Sequence, residues 1–486
     1  MKSKKTIKKL ICLLILATYS LSAFLNTAYA ENIVFPYYNE SLESNAALVM
    51  DANSSVILYD KNSNERLYPA SLTKIMTAIV VLDYVGDGYD NMVNFSYNAV
   101  TQDIDKTSVT ISATAGDQLS VKDCLYSMLL ASANDAANAL AEYVAGSIKD
   151  FALLMNERAA SIGCSDTHFI NPSGLHNDNQ YTTASDMAKI IQHAMTYPMF
   201  MQISSSVSYR HAPIRRFKDP ENSNNLILNT NSIMVPGSGY YYNGITAGKT
   251  GHTTLAGYNL AANARKNDMH LICIVLGAKN DKMRYIEAKS LFDFYFNNYH
   301  SLLIKDIDPR FNDDLSSIAI DDVNLVETLN ITCDDTSHIT LPNGVEYDKV
   351  TSKISYQVED IYDKYAIGTV YYYLDNVIVG KCNIEGKNME SSGTIFTSIL
   401  DLTAQQDSDE TAYSSQVKNQ TERNSLIYRN EKGNLVVSET LLYLISILLI
   451  IILVISLIFF IYTKILTNSN IPIQKIFFRF RRRFRR

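Results

Sequence analysis

The 486-residue sequence has few residues of the types that bind metals, with only eight histidines and six cysteines. Zinc sites use Cys and His ligands at short, regular spacings, and none of these residues is arranged in that way. We therefore predict no metal site and no bound cofactor.

Positive charge is scarce between the two ends of the chain. The sequence has 43 Lys and Arg against 50 Asp and Glu, but 13 of the basic residues lie in residues 1–30 and 464–486, which contain no acid. Residues 31–462 therefore carry a net charge of −20. Because nucleic-acid binding depends on Lys and Arg that neutralise phosphates, this composition argues against a nucleic-acid partner.

Long apolar runs are confined to the ends. Residues 1–30 contain five lysines, an apolar run and Ala28–Tyr29–Ala30, the pattern of a secretory signal peptide cleaved after Ala30; an uncleaved anchor is the alternative. Residues 440–463 are 24 uncharged residues, which as a helix span about 36 Å against a hydrocarbon core of about 30 Å. Since residues 464–486 are basic, we predict a single-pass protein of the cytoplasmic membrane with its body outside the cell.

Five cysteines follow the signal peptide, an odd number that leaves an exported chain with a free thiol or an intermolecular bond. Cys124 and Cys273 lie in apolar patterns and are predicted to be buried thiols. Cys333 and Cys382 share a later region of the chain, where they can form a disulfide.

The body of the chain divides into two predicted folded regions and a linker. Residues 31–300 contain hairpin patterns near each end, turning at 51–54 and 266–268, with helical patterns between them. They predict an α+β domain in which an antiparallel sheet carries an inserted helical region. Residues 310–395 read as a small β-rich domain. Residues 396–439 are polar and predict a flexible stalk.

A serine and a lysine lie three residues apart where a helix is predicted to begin, in "PASLTKIMTA". Residues three apart share a helix face, so the Ser71 hydroxyl and the Lys74 amine can meet. Burial beside a helix N-terminus lowers a lysine pKa and suits it to act as a base. The same spacing recurs at Ser415–Lys418 in the stalk, so the spacing alone does not identify a site.

Two further motifs follow. Ser132–Ala133–Asn134 falls on a predicted connection between two helices, where its side chains can face a cleft; helix capping is the alternative. Lys249–Thr250–Gly251 precedes a predicted strand. There a lysine and a hydroxyl can hold a carboxylate, and a glycine permits close approach of a ligand; an ordinary turn is the alternative.

In order and spacing, the three motifs resemble those of the penicillin-recognising serine enzymes, with gaps of 61 and 117 residues between them. The sequence around the motifs, including "SANDAANALAEYVAG" and "KTGHTTLAGYNLAANA", is similar to that of the low-molecular-mass penicillin-binding proteins. These are the D-alanyl-D-alanine carboxypeptidases of peptidase family S11. The resemblance covers roughly residues 35–300, and 310–395 more weakly. It implies the transpeptidase-like α+β fold of serine β-lactamases and penicillin-binding proteins.

The resemblance implies catalytic roles for three residues. Ser71 corresponds to the acylated nucleophile, Lys74 to its base, and Ser132 to a relay that protonates the leaving group. The reaction implied is removal of the terminal D-alanine from peptidoglycan stem peptides, with β-lactam antibiotics as covalent inhibitors.

The remaining site residues correspond to substrate-binding positions. Asn134 corresponds to the residue that binds the substrate amide, and Lys249 and Thr250 to those that anchor its terminal carboxylate. Gly251 lies beside them, and the backbone N–H groups of Ser71 and His252 correspond to the oxyanion hole.

Three other functions remain open on the sequence. A class A β-lactamase has an E-x-x-L-N stretch before Lys-Thr-Gly, and none lies between Ser132 and Lys249. An endopeptidase that cuts peptidoglycan cross-links shares the chemistry. An inactive homologue would be expected to lack a motif residue, whereas all three motifs are intact. The sequence departs from the family in its predicted membrane-spanning helix, since relatives often carry an amphipathic one.

Overall fold

The structure, a computed structural model, describes residues 33–104, 108–215, 225–311, 330–333, 336–361, 364–387, 427–429 and 435–437. The predicted signal peptide (1–30), membrane helix (440–463) and basic tail (464–486) lie outside the described residues. Within the described ranges, no helix is both long and apolar enough to cross a membrane.

A five-stranded antiparallel sheet is built from two segments of the chain that are far apart in sequence. Its strands are β1 (Ala46–Asp51), β2 (Ile57–Lys61), β7 (Ile245–Thr253), β8 (Gly257–Lys266) and β9 (Met269–Ala278). Their order in the sheet is β2-β1-β9-β8-β7. Strand β1 pairs with β9 along its whole length. Both predicted hairpins are present, β1–β2 and β8–β9. The antiparallel α+β architecture is therefore confirmed.

Among the described residues, seven α-helices lie between the two halves of this sheet: α1 (Thr73–Val85), α2 (Tyr97–Thr101), α3 (Val121–Leu130), α4 (Asn134–Ala145), α5 (Ile148–Ser161), α6 (Ala184–Ala194) and α7 (Pro198–Ser204). Two small strand pairs accompany them: β3 (Met92–Asn94) with β4 (Gln118–Ser120), and β5 (Ser208–Arg210) with β6 (Leu226–Leu228). Ser120 caps α3, because its hydroxyl accepts a hydrogen bond from the Asp123 N–H at 3.0 Å.

The five-stranded sheet is buried on both faces. Alternate residues of β1 point to opposite sides: Leu48 packs with the helical region, and Val49 packs with the long helix α8 (Asp281–Asn298). The result is three layers, with helices on either side of the sheet. Among the described strands, β7 has a neighbour on one side only, so its other edge can pair with an extended peptide.

A second antiparallel sheet follows α8. Its strands are β10 (Tyr299–Leu303), β11 (Asn330–Cys333), β12 (His338–Pro342), β13 (Thr351–Ile361), β14 (Lys364–Leu374) and β15 (Val377–Lys387), and the short helix α9 spans Ile304–Ile307. The order is β10-β12-β15-β14-β13, and β11 also pairs with β15. The two sheets are joined at Thr340, whose hydroxyl donates to the buried Asp51 carboxylate at 2.7 Å.

The structure shows whether each of four cysteines is a free thiol or is disulfide-bonded. Cys124, Cys164 and Cys273 are buried free thiols, which confirms the prediction for Cys124 and Cys273. Cys382 is disulfide-bonded. Strand β11, which contains Cys333, pairs with β15, which contains Cys382; the bond between these two cysteines stays a prediction.

Part of the predicted stalk has regular structure. Strands β16 (Ile427–Arg429) and β17 (Leu435–Val437) pair with each other in antiparallel fashion. The polar composition of residues 396–439 did not predict this pairing.

Candidate active site

Ser71 lies in a single 3-10 turn, Ala70–Leu72, directly before helix α1. Lys74 occupies the first turn of that helix, and its Nζ lies 3.2 Å from Ser71 Oγ. The predicted meeting of these two side chains is thus present. The turn is tight, since Ala70 adopts a left-handed φ of 48°.

Lys74 is fully buried, and its amine has two further contacts. Nζ donates to Asn134 Oδ1 at 2.7 Å and to the Ser173 carbonyl oxygen. Burial lowers the pKa of Lys74 well below its usual range; the charge of Lys249 lowers it further, and that of Asp135 opposes the change. A neutral amine has two N–H donors and one lone pair. Because Asn134 and Ser173 accept from the two donors, the lone pair is left for the Ser71 hydroxyl.

Ser132 lies on the connection between helices α3 and α4, as the sequence predicted. It adopts a left-handed φ of 64°, which is uncommon for a residue with a side chain. Asn134 is already the first residue of α4, and the residue before it, Ala133, takes the N-cap position without a side-chain bond. The alternative interpretation of this motif, that Asn134 caps the helix, is therefore wrong, because its side-chain oxygen accepts from Lys74 instead.

Lys249 comes from strand β7 on the opposite wall of the site. Its Nζ donates to Ser132 Oγ at 3.1 Å and to the Thr250 carbonyl at 2.9 Å. Burial lowers the pKa of Lys249 to about 7, and the nearby Arg284 charge contributes. A bound carboxylate would favour the charged form of the amine and so oppose the effects of burial and of the Arg284 charge. Lys249 is therefore suited to hold an anionic ligand.

Gly251 is the point where strand β7 meets the nucleophile. A Cβ on this residue would lie 2.9 Å from the Pro69 carbonyl oxygen and 3.1 Å from the Ser71 backbone nitrogen. Only glycine fits this approach without displacing backbone. His252 follows on the same strand, exposed and stacked on Tyr258 with ring centroids 4.1 Å apart.

The structure thus brings together all eight candidate residues: Ser71, Lys74, Ser132, Asn134, Lys249, Thr250, Gly251 and His252. The individual roles of these residues stay predictions. In the described part of the chain, no group of three or more His, Cys, Asp or Glu side chains is placed to hold a metal.

Sequence reasoning missed three residues that hold the site together. The Asn259 side chain donates to the Tyr68 and Pro69 carbonyls at 2.9 and 3.1 Å and accepts from the Gly277 N–H at 2.8 Å. It therefore ties the segment before Ser71 to the sheet.

The other two residues are Gly174 and Arg284. Gly174, at a φ of 83°, packs so closely on Ala70 that any Cβ would overlap its carbonyl group. The buried Arg284 guanidinium donates to the Gly251 and Asn259 carbonyls, at 3.2 Å each. None of these contacts follows a local spacing, so no sequence pattern signalled them.

A buried serine–lysine pair facing a Lys-Thr-Gly strand, on a sheet between two helical layers, is the arrangement of the penicillin-recognising serine hydrolases. Within that class, the chain belongs to the D-alanyl-D-alanine carboxypeptidase family, peptidase family S11, whose family model matches residues 34–280.

Known relatives agree with this assignment. The chain is 30% identical to the D-alanyl-D-alanine carboxypeptidase DacA of Haemophilus influenzae over 393 residues, which cover 79% of this chain and 93% of the relative. It is 32% identical to the carboxypeptidase DacF of Bacillus subtilis over 264 residues, covering 53% of this chain and 64% of that protein. The crystal structure of penicillin binding protein 5 from Haemophilus influenzae superposes with a TM-score of 0.57 at 27% identity, covering 73% of this chain and 99% of that one.

Proposed function

We propose that this protein removes the terminal D-alanine from peptidoglycan stem pentapeptides through an acyl-enzyme on Ser71. The observation that carries the proposal is the environment of Lys74. Its amine is buried 3.2 Å from Ser71 Oγ, and Asn134 and Ser173 accept its two donors. This arrangement supports a neutral base in contact with a nucleophile.

The reaction proceeds in two steps. Lys74 takes the hydroxyl proton as Ser71 Oγ attacks the carbonyl carbon of the penultimate D-alanine, and the backbone N–H groups of Ser71 and His252 stabilise the oxyanion. The C–N bond to the terminal D-alanine breaks. Ser132, which is hydrogen-bonded to Lys249, passes a proton to the departing amine. Water then hydrolyses the ester and regenerates Ser71.

Substrate recognition rests on strand β7. Lys249 and Thr250 hold the terminal carboxylate, and Gly251 lets the peptide approach the strand edge. Asn134 binds the substrate amide. β-Lactam antibiotics acylate Ser71 in the same geometry.

The test is the release of D-alanine from a peptide ending in D-Ala-D-Ala by the full chain in detergent, with Ser71→Ala alongside. We expect release by the wild type alone, and covalent labelling by a fluorescent penicillin to disappear in the variant. Labelling that persists in Ser71→Ala would refute the assignment of the nucleophile. If cross-linked dimers are cut and the pentapeptide is not, the protein is an endopeptidase.

We further propose that the enzyme is held in the cytoplasmic membrane by one helix, residues 440–463, with residues 31–439 outside the cell. The uncharged length of that segment and the basic residues after it support this location. A chain ending at residue 435 should then be released from the membrane fraction and still label with penicillin. Retention of that shorter chain on membranes would contradict the anchor.

A further inference from the structure

Asp135 directly follows the Ser132–Ala133–Asn134 motif and belongs to none of the three motifs. It is the second residue of helix α4, and its side chain is buried. An aspartate in the first turn of a helix commonly does no more than offset the helix dipole. The Asp135 carboxylate, however, also bonds backbone N–H groups that lie 24 and 22 residues earlier in the chain. Its role therefore extends beyond its own helix.

Backbone N–H groups from two segments donate to the Asp135 carboxylate. Ile111 donates to Oδ1 and Ala113 to Oδ2, at 3.1 Å each, and Ala136 of the same helix donates to Oδ1 at 2.9 Å. Ser112, between the first two donors, adopts a left-handed φ of 63°, a backbone form that turns neighbouring N–H groups toward one anion. An amide would place an NH₂ group opposite one of these donors, so the site requires a carboxylate.

The same segment is bonded to the active-site residue before Asp135. The Asn134 N–H donates to the Val109 carbonyl at 2.8 Å, and the Asn134 side chain accepts from Lys74 Nζ at 2.7 Å. The first turn of α4 is therefore bonded to residues 109–113 through its backbone and to the base through Asn134. Because Asp135 makes two of the bonds to that segment, it fixes the position of Asn134 relative to Lys74.

The charge of Asp135 also acts on the Lys74 amine. Burial lowers the pKa of Lys74, the charge of Lys249 on strand β7 lowers it further, and the charge of Asp135 opposes both. Helix α3, which packs on α4, places the Cys124 thiol near Asp135. Burial and the charges of Asp123 and Asp135 raise the pKa of that thiol well above its usual range, so the thiol stays neutral. In the described part of the chain, Asp135 and Lys249 are therefore the charged groups that shift Lys74.

We propose that Asp135 is a positioning residue of the reaction: its carboxylate holds Asn134 against the Lys74 amine through residues 109–113, and its negative charge acts on that same amine. The inference rests on the proposed function, in which neutral Lys74 accepts the Ser71 proton. Loss of the carboxylate should therefore have two opposite effects. The base is less well placed at every pH, and a larger share of it is neutral at low pH.

The experiment measures the second-order rate of labelling of the full chain by a fluorescent penicillin, at about pH 5 and at about pH 9. At the higher pH, Asp135→Asn should label about three- to tenfold more slowly than the wild type, because a shift of a few tenths of an ångström misplaces the base. At the lower pH this deficit should become smaller, because more of Lys74 stays neutral without the carboxylate.

Asp186→Asn is the matched control. Asp186 is also buried in the first turn of a helix, α6, and its carboxylate accepts from the Asp166 N–H at 2.9 Å and the Thr167 hydroxyl at 2.8 Å. Its charge is not one of those that shift Lys74. The ratio of its labelling rate to that of the wild type should be the same at both pH values.

Asp135→Glu separates the two effects, because it keeps the charge and lengthens the side chain by one methylene. It should label more slowly than the wild type by a similar factor at both pH values. Thermal unfolding shows which variants are folded. If Asp135→Asn does not fold, Asp135→Glu tests the inference by itself: a constant deficit supports it, and a wild-type rate or a deficit that changes with pH contradicts it.

Three results for folded variants would overturn the inference: wild-type labelling by Asp135→Asn at both pH values, an equal deficit of that variant at both, or the same pH-dependent change in Asp186→Asn. A wild type that is not labelled at all, or labelling that persists in Ser71→Ala, would instead contradict the proposed function itself.

Discussion

Replacing Gly251 by alanine adds one methyl group where strand β7 meets the nucleophile. The new Cβ would lie 2.9 Å from the Pro69 carbonyl oxygen, about 0.5 Å short of ordinary van der Waals contact, and 3.2 Å from the Ala70 Cβ. Both neighbours belong to the turn that carries Ser71, and Asn259 prevents the Pro69 carbonyl from moving freely. The strand and the turn must therefore separate by a few tenths of an ångström.

A displacement of this size affects both the reaction and the fold. A misplacement of about 1 Å can cost a factor of about 10² in rate, so a shift of a few tenths of an ångström in Gly251→Ala should slow acylation by about 3- to 10-fold. The accompanying overpacking should lower the free energy of unfolding by only about 1–3 kcal/mol.

The assay is the second-order rate of labelling by a fluorescent penicillin, measured together with thermal unfolding. Gly239→Ala is the control, because no described atom lies within 4 Å of its added Cβ; it should acylate at the wild-type rate. If Gly251→Ala acylates within twofold of the wild type and unfolds at the same temperature, the close apposition of β7 and Ser71 is refuted.

Two further predictions concern the walls of the site. Because the pKa of Lys249 is about 7, the ammonium that binds the carboxylate loses its charge as the pH rises through 7. The kcat/KM for the peptide should therefore decrease in that range. In Lys249→Arg the side chain stays charged, so kcat/KM should not decrease there. An equal decline in both proteins would contradict this role. Asn259→Ala removes the side-chain donor to the Tyr68 and Pro69 carbonyls and the acceptor of the Gly277 N–H. It should reduce the free energy of unfolding in urea by about 1–3 kcal/mol, whereas the exposed Asn64→Ala should leave it unchanged.

The parts of the site that could be predicted depend on short spacings. Ser71 and Lys74 are three residues apart on one helix start, and local geometry alone brings their side chains together. Strand alternation likewise placed the hairpins of the first sheet, because the turn at 266–268 is marked by polar residues between two apolar runs.

The parts that could not be predicted depend on contacts between distant residues. Lys74 and Ser173 are 99 residues apart, and Arg284 lies 33 residues beyond Gly251. An asparagine at position 134 reads equally well as a helix cap or as a partner for a buried amine. Only the fold distinguishes these two roles, because the buried Lys74 amine needs hydrogen-bond acceptors and Asn134 provides one.

The pairing of strand β1 with strand β9 has a consequence for how the enzyme forms. Ala46 lies opposite Leu276, so the central strands of the sheet meet across most of the catalytic region. Folding rates fall as the mean sequence separation of contacts grows, and a chain made from its N-terminus must complete Leu276 before this sheet can close. Ser71 and Lys74 are made early but stay apart from Lys249 during that interval. Catalytic competence is therefore a late event in maturation, and the incomplete chain exposes apolar strands to chaperones and proteases until then.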